Sequence, residues 1–79
     1  MSIKVRYFAS LKESAGRSEE VLSLIDNVTV RELWALCRPD KPVPENVLVA
    51  INMNYREWDS IVKDGDEVAF FPPVTGGCV

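Results

Sequence analysis

The sequence predicts an α+β roll, in which one main amphipathic helix packs against a mixed sheet of four or five strands. The chain has 79 residues, of which 47% are nonpolar and 27% charged, and this composition suits one domain with one modest core. Its segments follow the order strand, strand, helix, strand, short strand, strand, so the last strand is expected beside the first. We expect residues 1–73 to form this domain and residues 74–79 to form a flexible tail.

The first two strands are predicted to form a hairpin that a short helix widens. The segment "IKVRYFA" alternates in polarity, as half-buried strands do. Its inner face would consist of Ile3, Val5, Tyr7 and Ala9. In "SLKESAG", Ser10 and Glu13 have the spacing of a capping box, and Gly16 would end the short helix. The branched residues of "EEVLSLI" then predict the second strand.

The segment "TVRELWALCR" predicts the main helix. Thr29 and Glu32 repeat the capping-box spacing, and Pro39 ends the helix. Four nonpolar residues fall at i, i+3, i+4 and i+7 and so form one stripe. They are Val30, Leu33, Trp34 and Cys37.

Three more strands are predicted after the helix. "VLVAIN" is one, "MNYREW" is a short edge strand that pairs back on it, and "EVAFF" is the last. We expect "SIVKDGD" to be a turn region, because Asp64, Gly65 and Asp66 supply a tight corner. The helix stripe should then bury the inner residues of three strands, which are Ile3, Val5, Val49, Ile51, Val68 and Phe70.

Two aromatic side chains are predicted on the outer face of the sheet. Phe8 shares the polar face of the first strand, and Phe71 shares the outer face of the last strand. If these strands are neighbours, the two rings lie close together and form a binding patch. The alternatives are scattered surface aromatics or a slipped register, which would turn every side chain to the opposite face.

Composition excludes several kinds of site. The net charge of -3 and the lack of histidine argue against nucleic acid, and no nonpolar run is long enough to span a membrane. No signal peptide is visible, so we expect a cytoplasmic protein. Two cysteines are too few for an iron–sulfur cluster held by four thiolates, and no metal site is expected. Cys37 is predicted to be a buried, inert thiol, and Trp34 and Trp58 are predicted to pack in or beside the core.

The C-terminal run "PPVTGGCV" is the most specific feature of the chain. After Phe71, two prolines cannot continue ordinary ladder pairing, so the chain should leave the sheet stiffly. Gly76 and Gly77 then remove the side chains near the end, which would let the tail enter a narrow enzyme channel. No catalytic triad or phosphate loop can be assembled from the sequence, so a carrier or binding module is favoured over a catalyst.

The run "DGDEVAFFPPVTGG" resembles the C-terminal signature of the small subunit of molybdopterin synthase, a ubiquitin-like sulfur carrier of the β-grasp fold. The resemblance extends over nearly the whole chain. It implies that an E1-like adenylating enzyme uses ATP and a sulfur donor to convert the Gly77 carboxylate into a thiocarboxylate. It also implies that the large subunit of molybdopterin synthase receives this sulfur for molybdenum cofactor biosynthesis, and that no cofactor is permanently bound. The threading residues would be Pro73, Val74, Thr75 and Gly76, while Phe8 and Phe71 would contact partners.

The sequence departs from this family at its end, because Gly77 is followed by Cys78 and Val79. For a carrier we favour a processing protease that removes these two residues, over a second route in which the Cys78 thiol attacks the Gly77 carbonyl in an N-to-S acyl shift. Two other functions stay open: a ubiquitin-like modifier that is joined to lysines after processing, and an interaction domain that binds the synthase without carrying sulfur. A sulfur carrier of another biosynthetic pathway is a further alternative.

Overall fold

The computed structural model describes residues 1–40, 42–43 and 46–72. Within these ranges, strands and helices follow one another as β1 (Ser2–Tyr7), α1 (Ser10–Ala15), β2 (Glu19–Ser23), β3 (Val28–Thr29), α2 (Val30–Cys37), β4 (Leu48–Ile51), β5 (Asn54–Arg56), β6 (Ile61–Val62) and β7 (Glu67–Phe71). In this part of the chain, neither helix is long and nonpolar enough to cross a membrane.

Five strands form a mixed sheet in the order β2-β1-β7-β4-β5. β1 is parallel to β7, with Val5 opposite Val68 and Tyr7 opposite Phe70, and the other neighbouring pairs are antiparallel. The predicted α+β roll is confirmed, and so is the pairing of the first strand with the last. The path from β1 through the hairpin and α2 back to β7 therefore places both ends of the described domain in the middle of the sheet.

A second, two-stranded sheet was not predicted. β3 and β6 pair antiparallel, with Val28 opposite Val62, although the segment that contains β6 was expected to be only a turn. Strands of two residues are too short to show an alternating pattern, so the pairing depends on contacts between distant segments. The expected tight corner is present only in the later part of that segment, after β6. There Gly65 has a φ of 85°.

The core lies between α2 and the inner face of the large sheet. Burial alternates strictly along β1 and β7, as strands with one buried face require. All six predicted inner strand residues are buried in one cluster with Val30, Leu33 and Trp34 of the helix stripe.

Trp34 also contacts the Phe70 ring edge to face, with 5.1 Å between centroids, and donates its indole N–H to the Pro42 carbonyl at 3.1 Å. Trp58 is partly buried against the same cluster, so both tryptophans pack as predicted.

The two predicted capping boxes have different outcomes. At α2 the box is present: the Glu32 N–H donates to Thr29 Oγ1 at 3.1 Å, and the Thr29 N–H donates to Glu32 Oε1 at 2.8 Å. At α1 the prediction was wrong, because the N-cap is Ala9, which has a positive φ of 52° and makes no side-chain capping bond. β1 ends at Tyr7, and the chain turns at Ala9. Ala9 is therefore exposed, and the prediction that it lies on the inner face of the sheet was wrong. Gly16 ends α1 as predicted, with a φ of 79°.

We predict that Thr29→Ala lowers the free energy of unfolding by about 1 kcal/mol, because the Glu32 N–H in the first turn of α2 then loses its acceptor, Thr29 Oγ1. Ser10→Ala is the matched control, since its hydroxyl caps no helix, and it should change stability by less than about 0.5 kcal/mol. Urea unfolding of both variants measures the difference. Equal losses in the two variants would contradict the capping assignment.

Candidate functional site

The outer face of the large sheet carries the two aromatic residues that were predicted to meet. The rings of Phe8 and Phe71 are stacked, with centroids 4.6 Å apart and planes 10° from parallel. The parallel register of β1 and β7 places them together, and the Phe8 N–H extends that ladder by donating to the Phe70 carbonyl at 3.3 Å. Both rings are half-buried. Their predicted proximity is confirmed, whereas their contact with a partner stays a prediction.

Two further residues complete this surface: Arg6, which the alternation of the first strand predicts on the same face as Phe8, and Tyr55, which sequence reasoning did not place there. The Arg6 guanidinium carbon lies 5.2 Å from the centre of the Phe8 ring, a cation–π distance, and Arg6 also pairs with Glu67 at 3.3 Å. On the other side, Tyr55 meets Phe71 at an angle, with 6.3 Å between ring centroids. We call Arg6, Phe8, Tyr55 and Phe71 the aromatic face.

The aromatic face borders a groove with a volume of about 250 Å³. Ala50 and Ala69 lie opposite each other on β4 and β7 and line the groove between Arg6 and Tyr55. Their short side chains leave a depression where longer ones would fill the surface. A nonpolar depression beside stacked aromatics is the usual form of a protein-binding patch.

Cys37 is half-buried at the end of α2, whereas the sequence predicted a buried thiol. Burial raises the pKa of this thiol to about 11. Nearby, the buried Tyr7 hydroxyl donates to Glu20 Oε2 at 2.6 Å. Burial is the main cause that raises the pKa of Tyr7, and the hydrogen bond to Glu20 raises it further. At neutral pH the Cys37 sulfur therefore stays protonated, which makes it a poor nucleophile.

The acidic residues near the last turn hold the backbone of that turn. Asp64 Oδ1 accepts the Ser2 N–H at 2.8 Å, and Asp66 Oδ2 accepts the Lys63 N–H at 2.8 Å. Asp66 thus has the turn-forming role that the sequence indicated, whereas Asp64 connects the turn to the first residue of β1. Among the residues that the structure describes, no group of three His, Cys, Asp or Glu side chains is arranged to hold a metal ion.

The remaining predicted site residues lie outside the described residues. They are Pro73, Val74, Thr75, Gly76, Gly77, Cys78 and Val79. The described chain ends at Pro72, directly after Phe71 of the aromatic face. The described part of the chain therefore ends beside this surface.

The sheet order, with α2 packed across one face of the sheet, defines a ubiquitin-like β-grasp domain. The model of the ThiS family matches residues 5–77, and the chain belongs to that family. Two relatives are molybdopterin synthase sulfur carrier subunits. That of Chlamydomonas reinhardtii is 40% identical, over 98% of this chain and 100% of its own. That of Escherichia coli is 39% identical, over 95% of this chain and 99% of its own. The resemblance noted from the tail is thus confirmed.

Solved structures agree with this assignment. A Pyrococcus furiosus protein described as molybdopterin converting factor subunit 1 superposes with a TM-score of 0.78 at 34% identity, covering 94% of this chain and 99% of its own. Small archaeal modifier protein 1 of Methanosarcina acetivorans gives 0.77 at 26% identity, covering 96% of each. In a Helicobacter pylori complex of subunits 1 and 2 of molybdopterin-converting factor, the similar chain gives 0.65 at 25% identity, covering 98% of this chain and all of that one.

We predict that Cys37 reacts slowly with a maleimide in the native protein. A version that ends at Gly77 removes the second cysteine and isolates the signal. Because its pKa is about 11 instead of 9.0, the thiolate fraction at pH 7 should be about a hundredfold lower than that of an ordinary cysteine. The rate should rise about tenfold per pH unit until the pH approaches that pKa, and denaturant should accelerate it sharply. Rapid labelling of the native protein at pH 7 would contradict the placement of this thiol.

Proposed function

We propose that this chain is the sulfur carrier subunit of a molybdopterin synthase. The observation that carries the proposal is the continuity between the aromatic face and the tail: Phe71 stands six residues before Gly77. A partner that grips this face would hold the tail at a fixed distance from its own active site. The relatives that match along the full chain bear the name of this subunit.

The chemistry of the carrier would take place at the Gly77 carboxyl group. A carboxylate is a poor electrophile, so an E1-like enzyme first joins it to the AMP portion of ATP and releases pyrophosphate. Sulfide supplied by a donor then attacks the acyl carbon; the new C–S bond replaces the C–O bond, and AMP leaves. The resulting thiocarboxylate passes its sulfur to a pterin precursor in the large subunit. The chain needs no permanently bound cofactor in this scheme, and we place it in the cytoplasm with these partners.

The two residues after Gly77 require an additional step. In the intact chain the α-carboxylate belongs to Val79, which is β-branched and fits poorly in a channel suited to glycine. We therefore include a protease that cleaves after Gly77. A second route is an N-to-S acyl shift, in which the Cys78 thiol attacks the Gly77 carbonyl and gives a thioester that sulfide can open. The sequence offers no neighbouring group to activate that thiol, so proteolysis is favoured.

A second candidate function is protein modification. It is favoured by the similarity to small archaeal modifier protein 1, which has a comparable fold along the whole chain. The same glycyl adenylate would then react with a lysine amine instead of sulfide. Mass spectrometry of the protein from its native cells distinguishes the functions. A chain ending at Gly77 with sulfur in place of oxygen supports the carrier, a lysine conjugate supports the modifier, and an intact Val79 supports a binding-only domain.

We predict that Phe71→Ala weakens binding to the large subunit by at least about 2 kcal/mol, because truncation of a central aromatic residue removes a binding hot spot. The fold should survive, since Phe71 points away from the core and every core side chain is retained. Calorimetry with the large subunit from the same organism measures the affinity, and circular dichroism measures the fold.

Leu36→Ala is the control for this experiment. Leu36 is an exposed nonpolar residue on α2, and α2 covers the opposite face of the sheet, so its loss should leave the affinity unchanged. Unchanged affinity in a folded Phe71→Ala protein would refute the docking proposal. A collapse of stability would mean instead that the side chain supports the core.

We predict that only a chain ending at Gly77 acquires a thiocarboxylate. The comparison uses this chain, the full-length protein and full-length Cys78→Ser, each with the adenylating enzyme, ATP and a sulfur donor. Intact mass spectrometry reports the product. If the full-length protein is charged equally well while retaining Val79, processing is unnecessary. Loss of that charging in Cys78→Ser would assign it to the thiol route.

A further inference from the structure

The turn between β4 and β5 has an unfavourable residue at one corner. Ile51 pairs with Asn54, so the loop consists of Asn52 and Met53 alone. Both residues have positive φ, 52° and 71°, as a type I′ turn requires. Asparagine tolerates this conformation, whereas the second corner favours glycine. Methionine there brings its Cβ too close to the backbone, so the turn is strained at Met53.

The Met53 side chain makes no contact with the core that would offset this strain. Met53 is 94% exposed and packs in no part of the core. Asn52 differs, because its side chain donates to Asp66 Oδ1 at 2.9 Å and accepts the Glu67 N–H at 3.0 Å. Asn52 thus fastens the turn to the start of β7, while Met53 has no such structural role. A strained backbone that holds an exposed nonpolar side chain indicates a function outside the fold.

Met53 lies at the groove beside the aromatic face. It lines the groove together with Tyr55, Phe71 and the two alanines Ala50 and Ala69. The groove has a volume of about 250 Å³. Its charged wall is Arg6 paired with Glu67, so the two opposite charges compensate each other. A neutral wall and a nonpolar lining suit a nonpolar occupant better than an anion.

The short separation between Phe71 and Gly77 along the sequence identifies which molecule would fill the groove. Gly77 follows Phe71 by six residues, and six extended residues span at most about 21 Å. A protein that acts on Gly77 must therefore lie close to Phe71, and the Tyr55 ring is only 6.3 Å from that of Phe71. The same protein would cover the groove.

We propose that Met53 is a partner-contacting residue, and that a nonpolar side chain of the large subunit enters the groove and packs against its thioether. This inference rests on the proposed function of the aromatic face. Methionine suits the role because its unbranched, polarisable side chain adapts to the shape of what it contacts. The strain at the turn fixes where that adaptable side chain begins, directly at the edge of the groove.

The test measures stability and affinity together in the full-length chain. Met53→Gly should raise Tm by about 4 °C, because glycine relieves the strain, yet it should weaken Kd for the large subunit at least about tenfold. Met53→Gln is the matched variant, since it keeps the side-chain length and the backbone strain but replaces the thioether with an amide. It should leave Tm unchanged and weaken Kd. Titration calorimetry with the large subunit from the same organism, together with thermal unfolding, gives both quantities.

Two further variants make the outcomes separable. Ile25→Gln removes an equally exposed nonpolar side chain beyond β2, the opposite edge strand, and should not change Kd. Phe71→Ala reports on the aromatic face itself. If Phe71→Ala weakens binding while both Met53 variants bind normally, the inference is wrong and the proposed function stands. If Phe71→Ala has no effect, the proposed docking fails. A fall in Tm for Met53→Gly, or an equal loss of affinity in Ile25→Gln, would also overturn the inference.

Discussion

The parallel pairing of β1 with β7 is the constraint on which the rest of this structure depends. Because the two ends of the domain pair at the centre of the sheet, the hairpin, the helix and the later strands must be arranged around them. The same register places Val5 beside Val68 on the inner face and brings Phe8 onto Phe71 on the outer face. One set of backbone hydrogen bonds therefore determines both the core and the outer surface beside which the described chain ends. A slip of one residue would exchange these faces and destroy both at once.

The outer face illustrates how a small domain can keep nonpolar surface exposed. The inner residues of β1 and β7 are fully buried, so the fold does not need the aromatic face for its core. The rings of that face cover one another instead, and Arg6 lies over Phe8. This mutual cover reduces the area in contact with water while leaving the rings available to a partner. Mutual cover of this kind fits the partner-contacting role proposed for the aromatic face.

Sequence reasoning succeeded where a pattern extends over several residues. Alternation in β1 and β7 predicted their inner residues and, together with the expected pairing of the first strand with the last, the meeting of Phe8 with Phe71. The helical stripe predicted α2. Sequence reasoning did not predict β3 and β6, because strands of two residues are too short to show an alternating pattern. It could not place Tyr55, whose face depends on how a three-residue edge strand pairs, nor foresee the strained turn at Met53, where the usual glycine signal is absent. Cys37 is half-buried because it is the last residue of the stripe, at the end of the helix.

In the proposed scheme, recognition and chemistry are assigned to different parts of the chain. The domain presents a preformed surface and an unreactive interior, in which the raised pKa of Cys37 keeps its thiol protonated. The reacting atom belongs to Gly77, which a tail of fixed length connects to Phe71. Changes to the aromatic face should therefore alter how tightly a partner binds, whereas changes after Gly76 should alter whether the bound chain can react. This separation explains how one carrier could serve both an adenylating enzyme and a synthase: each would use the same surface to position the same carboxyl group.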